Sequence, residues 1–178
     1  MIVVAYPFAL LVISLGVNLF IFGVQPLEPS LPTREIFVAL TVAAAGLLVN
    51  HSWLMTTTEL TRSRFELYAT PEEWTAAGKN RSQADQKGLK ELERRHNTHR
   101  NATENTVYFA FLGVVFALAS PPAFAAFVSI VGFAVARLGH TYGFLAGKDG
   151  VRGLFMSFSL LCLYGMASYL ALALLTGS

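Results

Sequence analysis

Residues 87–105 read KGLKELERRHNTHRNATEN, and residues 106–119 continue as TVYFAFLGVVFALA, with no proline in either half. The first half is crowded with charge and the second carries none. One continuous helix is therefore predicted from about Leu89 to Ala119. At 1.5 Å rise per residue it would be about 46 Å long. The hydrocarbon of a bilayer is only ~30 Å thick. The first turns should then project into water, and the crossing itself should occupy residues 101–119. Glu93, Asn97, Arg100, Asn101, Glu104 and Tyr108 recur at spacings of three and four, so they share one face of that helix. This polar stripe runs from the aqueous side into the membrane.

Whether the rest of the chain is membrane-bound is decided by where charge is missing. No Asp, Glu, Lys or Arg occurs in 1–27, 36–58, 105–136 or 153–178. The 178 residues are 54% hydrophobic and 13% charged, about half the charge of an average soluble domain. A helix crosses a bilayer with roughly 20 apolar residues. The gap at 105–136 is too long for one crossing, and Ser120-Pro121-Pro122 splits it with a turn signal. Five crossings follow, at about 2–24, 36–58, 101–119, 123–146 and 154–175. The expected class is an all-α integral membrane protein.

Nine of the 13 Lys and Arg fall between Glu59 and Glu104, and Lys148 and Arg152 flank the last loop. Cytoplasmic loops collect such residues. That places 59–100 and 147–152 in the cytoplasm, with the N-terminus on the same side. Segment 1–24 lacks a positive leader and a small-residue cleavage site, so it reads as a retained helix. Residues 1–33 are thus an additional helix with a linker, and 34–178 form the main domain. Pro26, Pro29 and Pro32 should keep that linker extended.

Several function classes drop out. The chain is too apolar for disorder. A single cysteine, Cys162, excludes a disulfide scaffold. The net charge of +2 is no footprint for nucleic acid. No phosphate loop, HExxH or Cys/His zinc spacing is present, so no metal is expected. Asn-x-Ser/Thr triplets at Asn50, Asn80 and Asn101 read as chance matches.

A second polar stripe, Arg137, His140, Thr141 and Phe144, lies on the fourth crossing. Ionisable groups at membrane depth are costly and seek partners. Glu104 and Arg137 are each the deepest charge of their helix, which predicts a structural ion pair between them. The two stripes together predict a polar cleft open to the cytoplasm. Arg62, Arg64, Arg100 and Arg152 surround it with cations, beside Asn101 and His140. Such a cleft suits a small ligand with more than one carboxylate. Contact with anionic lipid headgroups is the alternative.

Glu93-Arg94-Arg95-His96-Asn97-Thr98-His99-Arg100-Asn101-Ala102-Thr103-Glu104-Asn105 resembles the helix-two motif of the MAPEG family, the membrane-associated proteins of eicosanoid and glutathione metabolism. Its tail is most similar to the microsomal glutathione transferase and prostaglandin E synthase branch. Ala69-Thr70-Pro71-Glu72-Glu73 and Ala136-Arg137-Leu138-Gly139-His140-Thr141 resemble two further motifs of that branch. The likeness covers roughly 36–176 and leaves 1–24 outside a four-helix core.

The resemblance implies a homotrimer of helix bundles with glutathione held between neighbouring subunits. By position, Arg62, Arg100, Asn101, Glu104, His140 and Arg152 would contact glutathione. Arg62 and Arg100 would pair with its carboxylates, and Glu104 would accept from its α-amine. Asn101 and His140 would orient it. Arg152 would be the catalytic residue, a cation that favours the nucleophilic thiolate. Departures are Asn97 for an Arg, Phe144 and Met156 for Tyr-like positions, and Gly153 where prostaglandin synthases have Ser. They count against a prostaglandin-synthase specialist.

The implied function is a membrane glutathione transferase acting on lipophilic electrophiles, with peroxidase action on lipid hydroperoxides as a variant. Glutathione-dependent endoperoxide isomerisation is one alternative. A non-catalytic lipid-binding scaffold is another, although retention of His99 and Asn105 favours the enzyme branch. The membrane would be the endoplasmic reticulum in a eukaryote or the inner membrane in a bacterium, with the site on the cytoplasmic side.

Overall fold

Thr33 opens the first long helix of the core by accepting a hydrogen bond from Ile36 N, and Glu66, in the left-handed region at φ 51°, closes it. The computed structural model describes residues 2–176. Helix α1 spans Ile2–Val17 and continues as a π-helical turn, Asn18–Phe22. Helix α2 spans Arg34–Phe65, and the short α3 spans Pro71–Ala76. Helix α4 spans Gln86–Leu118, α5 spans Ala123–Leu145 and α6 spans Asp149–Thr176. The described residues contain no strand.

The boundaries follow local chemistry. Thr70 caps α3 with Pro71 in its first turn, where the missing N–H is harmless. Asp85 caps α4 by accepting from Lys87 N. No proline interrupts the next 33 residues, and α4 runs unbroken as the sequence requires. Ser120, at φ 48°, and Pro122 turn the chain into α5.

Among the described residues, four helices are long and apolar enough to cross a membrane: Val4–Phe22, Arg34–Phe65, Ala123–Leu145 and Asp149–Thr176. This is an all-α membrane fold. Helix α4 is not among the four, because Asn101, Glu104 and Asn105 lower the hydropathy of its second half. α2 and α6 extend past the expected 36–58 and 154–175.

Helix α5 is central and packs against α2, α4 and α6. The core beneath it includes Ile36, Phe116, Ile130, Phe133, Met166 and Tyr169, all nearly inaccessible. Phe109 of α4 stacks on Phe133 with centroids 4.3 Å apart. In lipid such side chains hold the helices together by close packing, with no gain from leaving water.

Helix α1 packs on α6. The buried Asn18 donates from Nδ2 to the Gly165 carbonyl at 2.9 Å and to Ser168 Oγ at 2.8 Å. The π turn begins at this residue, a common place for such a local widening. Tyr6 Oη donates to Ser157 Oγ at 2.8 Å. The proline-containing linker follows extended, with Leu27 N bonded to Ala173 O and Ser30 N to Leu118 O.

Candidate functional site

Arg137 is the largest fully buried side chain of the core. It projects from α5, and no carboxylate of the described residues pairs with it. Its Nη2 donates to Asn101 Oδ1 of α4 at 2.7 Å. The same nitrogen lies 3.3 Å from His140 Nδ1, one turn along α5. Arginine has only donors, so His140 Nδ1 must accept and the ring hydrogen sits on Nε2. On α6, Nη1 reaches Ser159 Oγ at 3.5 Å and Met156 Sδ at 3.6 Å. Arg137 Nε and the neighbouring Thr141 Oγ1 remain buried without partners.

The mouth of this polar core lies where α5 meets α6. Gly143 makes that approach possible: a Cβ there would meet Arg152 N at 2.7 Å. Arg152 lies over the Phe144 ring at 5.0 Å and pairs with Asp149 at 3.3 Å. Phe144 in turn contacts the His140 ring, with centroids 5.8 Å apart. Gly139 is equally tight against the Phe155 ring.

A family model now decides the class: the MAPEG family matches residues 37–172. The chain belongs to the MAPEG family. Among curated proteins, it is similar to microsomal glutathione S-transferase 1 of Rattus norvegicus, at 28% identity over 117 residues. That alignment covers 63% of this chain and 73% of the relative. The MAPEG match begins inside α2, so α1 and the linker lie before it.

Of the residues expected at the site, Asn101, Arg137 and His140 meet directly, with Arg152 and Phe144 beside His140. The expected Glu104–Arg137 ion pair is not formed. Glu104 is exposed on α4, and Asn101 takes the guanidinium instead. The reason is rotational. The buried face of α4 carries Thr98, Ala102, Asn105 and Phe109, and Glu104 lies about 60° further from it than Asn101 at ~100° per residue.

The polar stripe of α4 also lies elsewhere than expected. Glu93, Arg100, Glu104 and Tyr108 are exposed, so this stripe lines the outside of the chain. Among the described residues Arg100 bonds Asn97 Oδ1 alone, at 3.0 Å. Arg62 pairs with Glu59 and lies 3.4 Å from His96 Nε2. Burial, and then the Arg62 guanidinium, push the His96 pKa below its ordinary value. Arg64 lies over Phe65, away from the others.

Sequence reasoning missed the part played by Ser159 and Met156, which line Arg137 from α6. Ser159 is three residues past Met156, and that spacing on a facing helix was the available signal. It also missed the His99–His51 contact across α4 and α2, with Nε2 and Nδ1 3.2 Å apart.

Proposed function

We propose that this MAPEG protein is a membrane-bound glutathione transferase. It holds glutathione at the cytoplasmic end of α4, α5 and α6 and directs its sulfur at lipophilic electrophiles. Lipid hydroperoxides would be reduced by the same thiolate, which takes the terminal oxygen as the O–O bond breaks and releases the alcohol, a second glutathione then giving the disulfide and water. The observation that carries the reading is a set of arginines short of acidic partners. Arg100 and Arg137 have no carboxylate partner among the described residues, while Arg62 and Arg152 have single exposed ones.

The donor set fits glutathione, which brings two carboxylates, an amine and a thiol. Arg62 and Arg100 would take the carboxylates in charge-assisted bonds. Glu104, with no side-chain partner among the described residues, would accept from the amine. Asn101 and His140 would fix orientation, both held in place by Arg137. Arg152 would lie by the sulfur and favour its ionised form. The sulfur lone pair then forms a bond to the electrophilic carbon as the leaving group departs with its electrons. No side chain of the protein needs to be a nucleophile.

Arg100 and Glu104 sit on the outer face of the chain, so a neighbouring copy would have to close the site over them. A homotrimer serves that purpose. In this reading residues 34–178 are the catalytic domain and 1–33 an added helix. The chain resides in the endoplasmic reticulum of a eukaryote or the inner membrane of a bacterium, with the site facing the cytoplasm. Gly153 leaves no hydroxyl next to Arg152, which favours conjugation over endoperoxide isomerisation. Calorimetry with glutathione on the purified protein tests the reading. Millimolar or tighter binding is expected, and no binding would favour a scaffold.

A further inference from the structure

A groove of about 370 Å³ runs along the seam between α2 and α4, on residues the glutathione reading does not use. Its walls are apolar, with Leu48 and Leu54 from α2 and Val107 and Ala110 from α4. Five polar side chains line it, Asn50, His51, His99, Thr103 and Thr106, and the Thr106 hydroxyl is already spent on the Ala102 carbonyl. It sits midway along Arg34–Phe65, a helix able to cross the membrane. Small-molecule sites have this size and this mixture of apolar wall and few polar groups.

Two details narrow the ligand. Asn50 is 2% exposed, and its Oδ1 has no hydrogen-bond partner. Buried polar atoms are rarely left so, because the loss is not offset by anything else. His99 Nε2 and His51 Nδ1 satisfy each other at 3.2 Å, which leaves one nitrogen on each ring for another group. A hydroxyl suits this setting, since it donates and accepts and so serves either orientation of the amide.

We infer that the α2–α4 groove binds a lipophile bearing a hydroxyl or hydroperoxide, with the apolar body against Leu48, Leu54, Val107 and Ala110 and the oxygen at Asn50. This site does not rest on the glutathione reading, because its binding is measured without glutathione.

The test uses the full chain in phosphatidylcholine nanodiscs with two photoreactive probes, a medium-chain alcohol and its alkane counterpart. The alcohol should label residues within 47–54 and 102–110, in about tenfold preference over the alkane, as one satisfied buried group implies. Asn50→Leu should keep alkane labelling and abolish the preference. Leu48→Trp changes an exposed residue and should block both probes without unfolding the bundle. Labelling scattered over the exposed apolar residues of α1 and α6 would overturn the site. So would equal labelling by both probes. Disulfide formation between copies carrying Leu48→Cys, with no labelling, would show instead that a second copy fills the groove, and would overturn it as well.

Discussion

Arg137 of α5 and Asn101 of α4 are joined by a 2.7 Å hydrogen bond inside the bundle, and that bond ties the polar residues of two helices into one unit. The guanidinium orients both Asn101 and His140. Removing it leaves acceptors without donors in a region closed to water. Arg137→Met should therefore lower stability in detergent by about 1.5–3 kcal/mol, the worth of a hydrogen bond to a charged group. Asn101→Ala should lower it by less, and the double variant should fall short of the sum. Thermal unfolding of the four proteins checks this. Strict additivity would mean that the two side chains act independently.

Gly143 is where α5 and α6 touch backbone to backbone. A Cβ there has no room beside Arg152 N. Gly143→Ala should push α6 outward, destabilise by about 1–3 kcal/mol as overpacking does, and move Arg152 off Phe144. Glutathione turnover should fall more than glutathione binding, since the residues proposed for the carboxylates lie on α2 and α4. A variant with wild-type turnover would show that the position of Arg152 is unimportant.

His96 gives a pH dependence with a definite sign. Burial and the Arg62 guanidinium depress its folded pKa, so the fold prefers the neutral ring. The unfolded ring protonates near ~6.5. Stability from this site is complete above that pH and is lost as pH falls through the folded value. The unfolding midpoint of the wild type should therefore drop on acidification below about 6.5, and His96→Asn should drop less. Parallel curves for the two proteins would assign the acid sensitivity elsewhere.

Asn18 holds α1 to α6 through two side-chain bonds. Asn18→Leu removes both and leaves Ser168 Oγ without the amide that donates to it, while Ser168 still donates to the Gly165 carbonyl. Proteolysis in the linker at 23–33 should become faster, while glutathione turnover should stay near wild type if 34–178 is the catalytic domain. Loss of turnover together with faster cleavage would make α1 part of the working enzyme.

Much of this was legible in the sequence, and the reasons are physical. An unbroken α4 follows from the absence of proline between Gln86 and Leu118. Four of the five expected spans follow from the distribution of charge, since a helix in lipid must be apolar nearly throughout. The partner of Arg137 was not legible. Periodicity shows that Asn101 and Glu104 share a face, but it does not show which of them a neighbouring helix will meet. That depends on the rotation of α4, set by Thr98, Ala102, Asn105 and Phe109 packing inward. The exposure of the α4 stripe was hidden for the same reason. The His51–His99 contact joins residues 48 apart in the chain, and no local pattern announces it.

The most direct measurement is glutathione-dependent turnover of a model electrophile by the wild type and by Arg152→Ala in the same membrane mimic. Arg152 is the cation placed over Phe144 at the mouth of the polar core. The variant should bind glutathione with little change, show weaker ultraviolet absorbance from the bound thiolate, and turn over at least about tenfold more slowly, or about 1.4 kcal/mol in barrier. Equal rates in the two proteins would contradict the role of Arg152 in activating the thiol.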